Sequence, residues 1–148
     1  MKIVINGPPL SKMRPRLGKN IVFDPQTAIK KTVSKAIELQ LRDSFNECPE
    51  KALNLSSAGS FKVDFTFYFN PPANDSKARR NAKLANEIPC IVKNDLDNLE
   101  KFYCDCANGI LYKDDHLIVE MSSKKLWGMP RVEMEITPYD CIKSKKDE

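Results

Sequence analysis

The sequence predicts an α/β (α+β) fold, a small mixed β-sheet packed with two main helices. Three observations carry that expectation. Residues 61–69, FKVDFTFYF, alternate without a break: Phe61, Val63, Phe65, Phe67 and Phe69 point one way, Lys62, Asp64, Thr66 and Tyr68 the other. A period of two over that length is a half-buried strand. From Thr27 the apolar residues instead recur at helical spacing, as Ile29, Val33, Ala36/Ile37 and Leu41, with lysines opposite. From Leu96 a second helical run sorts into two faces. Leu96, Leu99, Phe102, Tyr103, Cys106 and Ala107 form the apolar side; Asp97, Lys101, Asp105 and Asn108 form the polar one.

The remaining elements follow in order. Residues 2–6, KIVIN, read as a first strand that Gly7-Pro8-Pro9 must end. The next stretch, LSKMRPRLGKNIVFDP, is expected to be irregular and basic. Pro25 marks the start of the first helix, which should stop before Pro49. Pro71-Pro72 ends the alternating strand, and NDSKARRNAKLANE is then a short basic helix or an ordered loop, with Asp75 or Ser76 as N-cap. Asn108-Gly109 closes the acidic helix, since glycine readily takes the left-handed terminating conformation. HLIVEMSSKKLW and RVEMEI are two strands that GMP is expected to join as a hairpin. No repeat or linker divides the chain, so residues 1–140 are expected to form one domain. The closing KSKKDE has no apolar anchor, and residues 141–148 are expected to form a flexible tail.

Composition bounds the function. The chain has 148 residues, 41% apolar and 30% charged, which fits a globular domain and excludes wholesale disorder. No apolar run reaches the roughly 20 residues of a membrane helix. The N-terminus turns polar too soon for a signal peptide, so a cytoplasmic protein without a membrane partner is expected. Net charge is +4, and opposite charges are segregated. Cations cluster at Lys12, Arg14, Arg16 and Lys19 and again at Lys77, Arg79, Arg80 and Lys83; the acids gather at 95, 97, 114 and 115. Such a pattern suits a polyanionic partner held beside a divalent cation. The five cysteines are odd in number and irregularly spaced, and read as reduced thiols. Cys104, Cys106 and the single histidine, His116, match no common zinc spacing.

The acidic block poses the chemical question. On a continuous helix Asp95 and Asp97 would diverge by about 160°. They converge only if Asp95 lies just ahead of the helix, as a cap residue. Asp114 and Asp115 fall at the mouth of the following strand, within reach of the helix if the chain crosses back. Three or four carboxylates without Cys or His make a hard-oxygen site for Mg²⁺ or Mn²⁺. An EF-hand is excluded, because DLDNLEKFYCDC lacks the required glycine and the terminal glutamate. Lys101, one turn beyond Asp97, would set an ammonium beside the metal, both facing one phosphate. The plainer alternative is a solvated stripe, its acids favoured by the helix dipole and Asp97–Lys101 an ordinary ion pair. Spacing alone leaves both open.

The segment KNDLDNLEKFYCDCANGILYKDDHLIVEMSSKKLWGMPRVEMEI closely resembles the RusA family of Holliday junction resolvases, especially its phage-type members. The matching parts are Lys93, then Asp95-Leu96-Asp97-Asn98-Leu99 with Lys101, then Asp105, Asn108-Gly109, Asp114-Asp115 and Lys124-Lys125. GPPLSKMRPR and NDSKARR extend the likeness over nearly the whole chain. The resemblance implies a homodimeric, Mg²⁺-dependent DNA endonuclease, Mn²⁺ a substitute, that makes paired nicks across four-way junctions. By motif, Asp95, Asp97 and Asp115 would hold the metal, with Asp114 the alternative to its neighbour, and Lys101 would support phosphodiester hydrolysis. Lys12, Arg14, Arg16, Lys93, Lys77, Arg79 and Arg80 are the expected DNA contacts, the arginines through forked phosphate bonds. A bacterial cytoplasm, with a phage or prophage origin, is also implied. Asn94 departs from the proline that many phage-type members carry there, which would leave the loop into the site less rigid. Two competing readings are a branched-DNA-binding module with structural acids and a flap- or fork-selective nuclease on the same scaffold.

Overall fold

The computed structural model describes residues 1–139; the tail expected at 141–148 lies outside them. Along the chain run β1 (Lys2–Asn6), β2 (Arg16–Gly18), β3 (Ile21–Phe23), α1 (Thr27–Glu47), α2 (Pro49–Ser57), β4 (Phe61–Phe69), α3 (Lys77–Leu84), α4 (Leu96–Ala107), β5 (Ile118–Trp127) and β6 (Arg131–Pro138). A single 3₁₀ turn, Asp115–Leu117, leads into β5. Four strands form one mixed sheet in the order β1-β6-β4-β5, and β2 and β3 form a separate ribbon. The fold is the expected α/β (α+β) arrangement, with α1 and α4 as the main helices.

The alternating segment became the central strand. Val63, Phe65 and Phe67 are buried, as are Val132, Met134 and Ile136 of β6, which pair with them in register. Ile3 and Ile5 extend this face across β1. Against it pack Val33 and Ile37 of α1 and Leu99, Phe102 and Tyr103 of α4, so the core lies between one sheet face and two helices. The other face of the sheet carries Lys62, Asp64, Thr66 and Glu133, a polar surface. The outer edge of β1 is not left bare. The Gln40 side chain accepts from Val4 N at 2.8 Å and donates to Val4 O at 2.6 Å, which satisfies backbone groups that an edge strand exposes.

Two expectations needed correction, and one unforeseen helix was added. β5 and β6 are not a hairpin: β4 lies between them, parallel to β5 and antiparallel to β6. Gly128–Pro130 therefore crosses the end of β4, a span of about two strand spacings, roughly 10 Å. Gly128 N donates to Phe69 O at 2.9 Å, and a Cβ at Gly128 would come within 2.8 Å of the Tyr68 ring, so only glycine fits the crossing. β4 takes the middle because its long apolar face is best buried there, with both backbone edges paired. The stretch expected to be irregular holds the β2–β3 ribbon, whose three-residue strands are too short to show a period. α1 does end before Pro49, but that proline opens α2, where its missing N–H and preset φ suit the first turn. α2 buries Ala52 and Leu55. Among the described residues no helix is long and apolar enough to cross a membrane.

Candidate active site

Asp95 occupies the N-cap of α4 in extended conformation, with φ −75° and ψ 138°, as its spacing from Asp97 required. Its carboxylate makes no capping hydrogen bond. An N-cap aspartate ordinarily accepts from a backbone N–H of the first turn, so this one leaves its oxygens to the solvent side. One turn in, Asp97 and Lys101 form an exposed pair at 3.8 Å. Such a pair adds little stability, because water screens both partners.

The return of the chain supplies the second half. α4 packs along the edge of the sheet beside β5, and the 3₁₀ turn brings Asp115 to the same cleft as Asp97 and Lys101. This cleft, of about 340 Å³, is also lined by Glu100, Asp105 and the first residues of β5. Its wall carries a β-bulge. Ile118 pairs with Phe61 but Glu120 pairs with Lys62, so Val119 is the extra residue and faces the cleft. Bulges re-aim side chains next to functional sites. Asp95 and Asp114 do not line the cleft; Asp95 stands at the helix mouth, and Asp114 pairs with His116 at 3.3 Å.

The donor set is all oxygen, which fits a hard divalent cation. Among the described residues no group of three or more His, Cys, Asp or Glu side chains is already gathered so as to hold a metal ion. The charges nonetheless crowd. A shared hydrogen bond with Asp114 raises the Asp115 carboxyl above the usual carboxylate range, and the charges of Asp114 and Asp105 push the same way. The same bond lowers Asp114, helped by His116. A cation would relieve this field. The two neighbouring cysteines offer no thiolate: burial pushes Cys104 up to about 11 and Cys106 up to about 12, so both stay protonated near neutrality.

Polar side chains of β5 hold the site in place. Residues 121, 123 and 125 share the face turned to the helices, where an ordinary strand would be apolar. Ser123 Oγ donates to Glu100, and Lys125 Nζ donates to the carbonyls of Val92 at 3.3 Å and Asn94 at 3.0 Å. The Asn94 side chain donates to Ser11 Oγ at 2.8 Å, which ties the loop where proline stiffness is missing. Lys12 N donates to Asn98 O at 2.9 Å, and Leu10 N to the buried Tyr103 hydroxyl at 3.0 Å. The stretch before Asp95 is therefore fastened from β5 on one side and from residues 10–12 on the other.

The expected DNA contacts divide. Lys12 pairs with Asp105 at 2.9 Å, and Lys30 approaches the same carboxylate at 3.6 Å. Arg14 and Arg16 are exposed on the ribbon, Lys93 is exposed ahead of the acidic loop, and Lys77 is exposed on α3. Arg79 pairs with Asp75 at 3.6 Å, while Arg80 donates to Pro71 O at 3.3 Å and Asn70 Oδ1 at 3.1 Å, so both help to fasten α3. Glu100 was not singled out in the sequence, although it lies three residues after Asp97 and so on the same helix face. Lys125 was marked in the sequence only as part of the Lys124-Lys125 motif, with nothing local to show that it grips the acidic loop.

Two comparisons complete the picture. No curated protein matches the chain. The family model described as endodeoxyribonuclease RusA matches residues 6–137, a span that holds the acidic loop, α4, the 3₁₀ turn and β5. By that match the chain belongs to the RusA family of endodeoxyribonucleases.

Proposed function

We propose that the chain is a Mg²⁺-dependent, structure-selective DNA endonuclease that resolves four-way junctions by paired nicks, as a homodimer. The observation that carries this reading is the cleft where Asp97 and Lys101 of α4 meet Asp115, with the Asp95 carboxylate two residues ahead, at the helix N-cap and unused as a cap. Solvated acids serving only the helix dipole would have no reason to converge from two segments of chain.

Asp95, Asp97 and Asp115 are the residues that would hold the metal, with Asp114 beside them. A bound Mg²⁺ supplies Lewis acidity at the scissile phosphate. Lys101, paired with Asp97 at 3.8 Å, would neutralise the charge that builds on the phosphate oxygens as water adds and a P–O bond breaks. Arg14, Arg16 and Lys93 are exposed and near in sequence to Lys12 and Asn94, which join residues 11–12 to α4 and its entry loop, and would offer phosphate contacts there. Two equivalent sites in a symmetric dimer would meet two equivalent strands of a junction.

The test is nicking of a synthetic four-way junction and a matched linear duplex, each with Mg²⁺ and with chelator. Paired, Mg²⁺-dependent nicks on the junction alone are expected. Tight binding without nicks in any divalent metal would leave a branched-DNA binder, and faster cleavage of flaps or forks would replace the resolvase reading.

Lys125→Met provides a separate check on how the acidic loop is held. Loss of a group that orients metal ligands typically costs about 10–100-fold in metal affinity or activity. The Mg²⁺ concentration for half-maximal nicking is expected to rise by that order, with junction binding in chelator unchanged. Weakened binding at an unchanged Mg²⁺ requirement would instead make Lys125 a phosphate contact.

A further inference from the structure

We infer that the β2–β3 ribbon is an apolar wedge that enters the opened branch point of its DNA substrate and supplies junction selectivity. Leu17 and Val22 are direct cross-strand partners, and opposed residues of a ribbon share one face. Both stand in solvent, at 86% and 64% exposure. On the opposite face the Phe23 ring lies against Gly18, and Ile21 and Phe23 are also exposed, at 67% and 46%, so the whole ribbon presents apolar surface to solvent. Two large aliphatic side chains together at the end of a protruding ribbon bury nothing in this chain.

Charge identifies what they meet. Between Leu10 and Phe23 there are four cations, Lys12, Arg14, Arg16 and Lys19, and no carboxylate. The first acid beyond, Asp24, is neutralised by Lys30 at 2.6 Å. Arg14, Arg16 and Lys19 thus flank the apolar pair along the chain with no carboxylate among them, a combination suited to phosphates flanking exposed bases and unsuited to a second, equally cationic ribbon.

The ribbon is also firmly footed beside the acidic cleft. Buried Gln26 staples its two ends, accepting from Met13 N at 2.8 Å and donating to Ser11 O at 2.9 Å. Lys12 then joins that foot to Asp105 and Asn98 of α4. A wedge so planted would fix the branch point at a set distance from Asp97 and Lys101. Inserting aliphatic side chains into continuous duplex requires unstacking a base step, whereas stacking at a junction centre is already interrupted. The same pair therefore favours the junction and disfavours the duplex.

The choice of branched DNA as partner rests on the nuclease reading, so the test does not depend on cleavage. Leu17→Thr/Val22→Thr keeps β-branched residues in an exposed ribbon and removes the apolar pair. With chelator present, 2-aminopurine at the branch point of a four-way junction should brighten on adding the unmodified protein and stay dim with the double variant. Junction affinity should fall about tenfold, equivalent to loss of one unstacked-base contact, while linear-duplex affinity, carried by the arginines and Lys19, should hold. Unchanged preference and unchanged emission would overturn the inference. So would a drop in sedimenting mass for the variant, which would assign this face to contact between copies of the chain. Brightening by the unmodified protein with no nicking in any metal would uphold the wedge and remove the nuclease reading.

Discussion

Asp97→Asn is expected to lower junction nicking by at least about 10³-fold, roughly 4 kcal/mol of transition-state stabilisation, while junction binding in chelator stays intact. Asparagine keeps the shape of the side chain and one oxygen but removes the negative charge that would hold both the metal and the Lys101 ammonium, 3.8 Å away. The two losses act on one phosphate, so a single substitution removes both. Asp97 lies on the exposed face of α4 and contributes nothing to the core, so the fold should survive. Circular dichroism and junction binding would show that it has. Parallel nicking rates with the unmodified chain decide the matter: cleavage within tenfold of normal would remove Asp97 from the site. The paired substitution Asp114→Asn would be read the same way, and a smaller effect there than at Asp115 would settle which of the two neighbours acts.

The second large effect concerns stability, at the far end of β5. Lys83 is only 6% exposed, with its ammonium 2.6 Å from Asp75 Oδ2 and 4.8 Å from the centre of the Trp127 ring. Trp127 is itself fixed, its indole donating to Ile88 O at 3.0 Å and its backbone N–H to Asn86 Oδ1 at 3.1 Å. Asp75→Ala leaves a buried ammonium with no counter-charge, and breaking such a pair from one side costs about 3 kcal/mol. Urea unfolding should report that loss. The double variant Asp75→Ala/Lys83→Met should regain most of it, because methionine fills similar volume beside the indole without a charge to solvate. A single-variant cost below about 1 kcal/mol would mean that water screens the pair as it does at the surface. Catalysis should change little, since α3 fastens the sheet end opposite the acidic cleft.

This lysine shows how far charge can be read from sequence. In a basic stretch with Lys77, Arg79 and Arg80, Lys83 looks like one more solvated cation. Whether it faces water or an aspartate and a tryptophan depends on β5, which arrives some forty residues later. Lys12 has the same history: it reads as a DNA contact and is engaged by Asp105. Lys125 reads only as half of a lysine pair that matches the family motif, and in the fold it grips two carbonyls ahead of Asp95. Composition reports how many cations there are, but only packing reports which remain free for phosphate.

What the sequence determined by itself is local or carried by motif. The alternation of residues 61–69 required a half-buried strand, the two-faced run from Leu96 required a helix, and the spacing of Asp95 from Asp97 put the first at the N-cap. The acidic motif, with its downstream aspartate pair, was enough to identify the family. Each of these depends on a backbone period or a short spacing, which neighbouring residues set between themselves. The tertiary structure alone decided that β4 separates β5 from β6, that Glu100 joins Asp97 and Asp115 in one cleft, and that the β2–β3 ribbon stands out beside it. Those outcomes depend on which distant segments compete to cover the same apolar face and to pair the same backbone edge. No local window of sequence contains that competition.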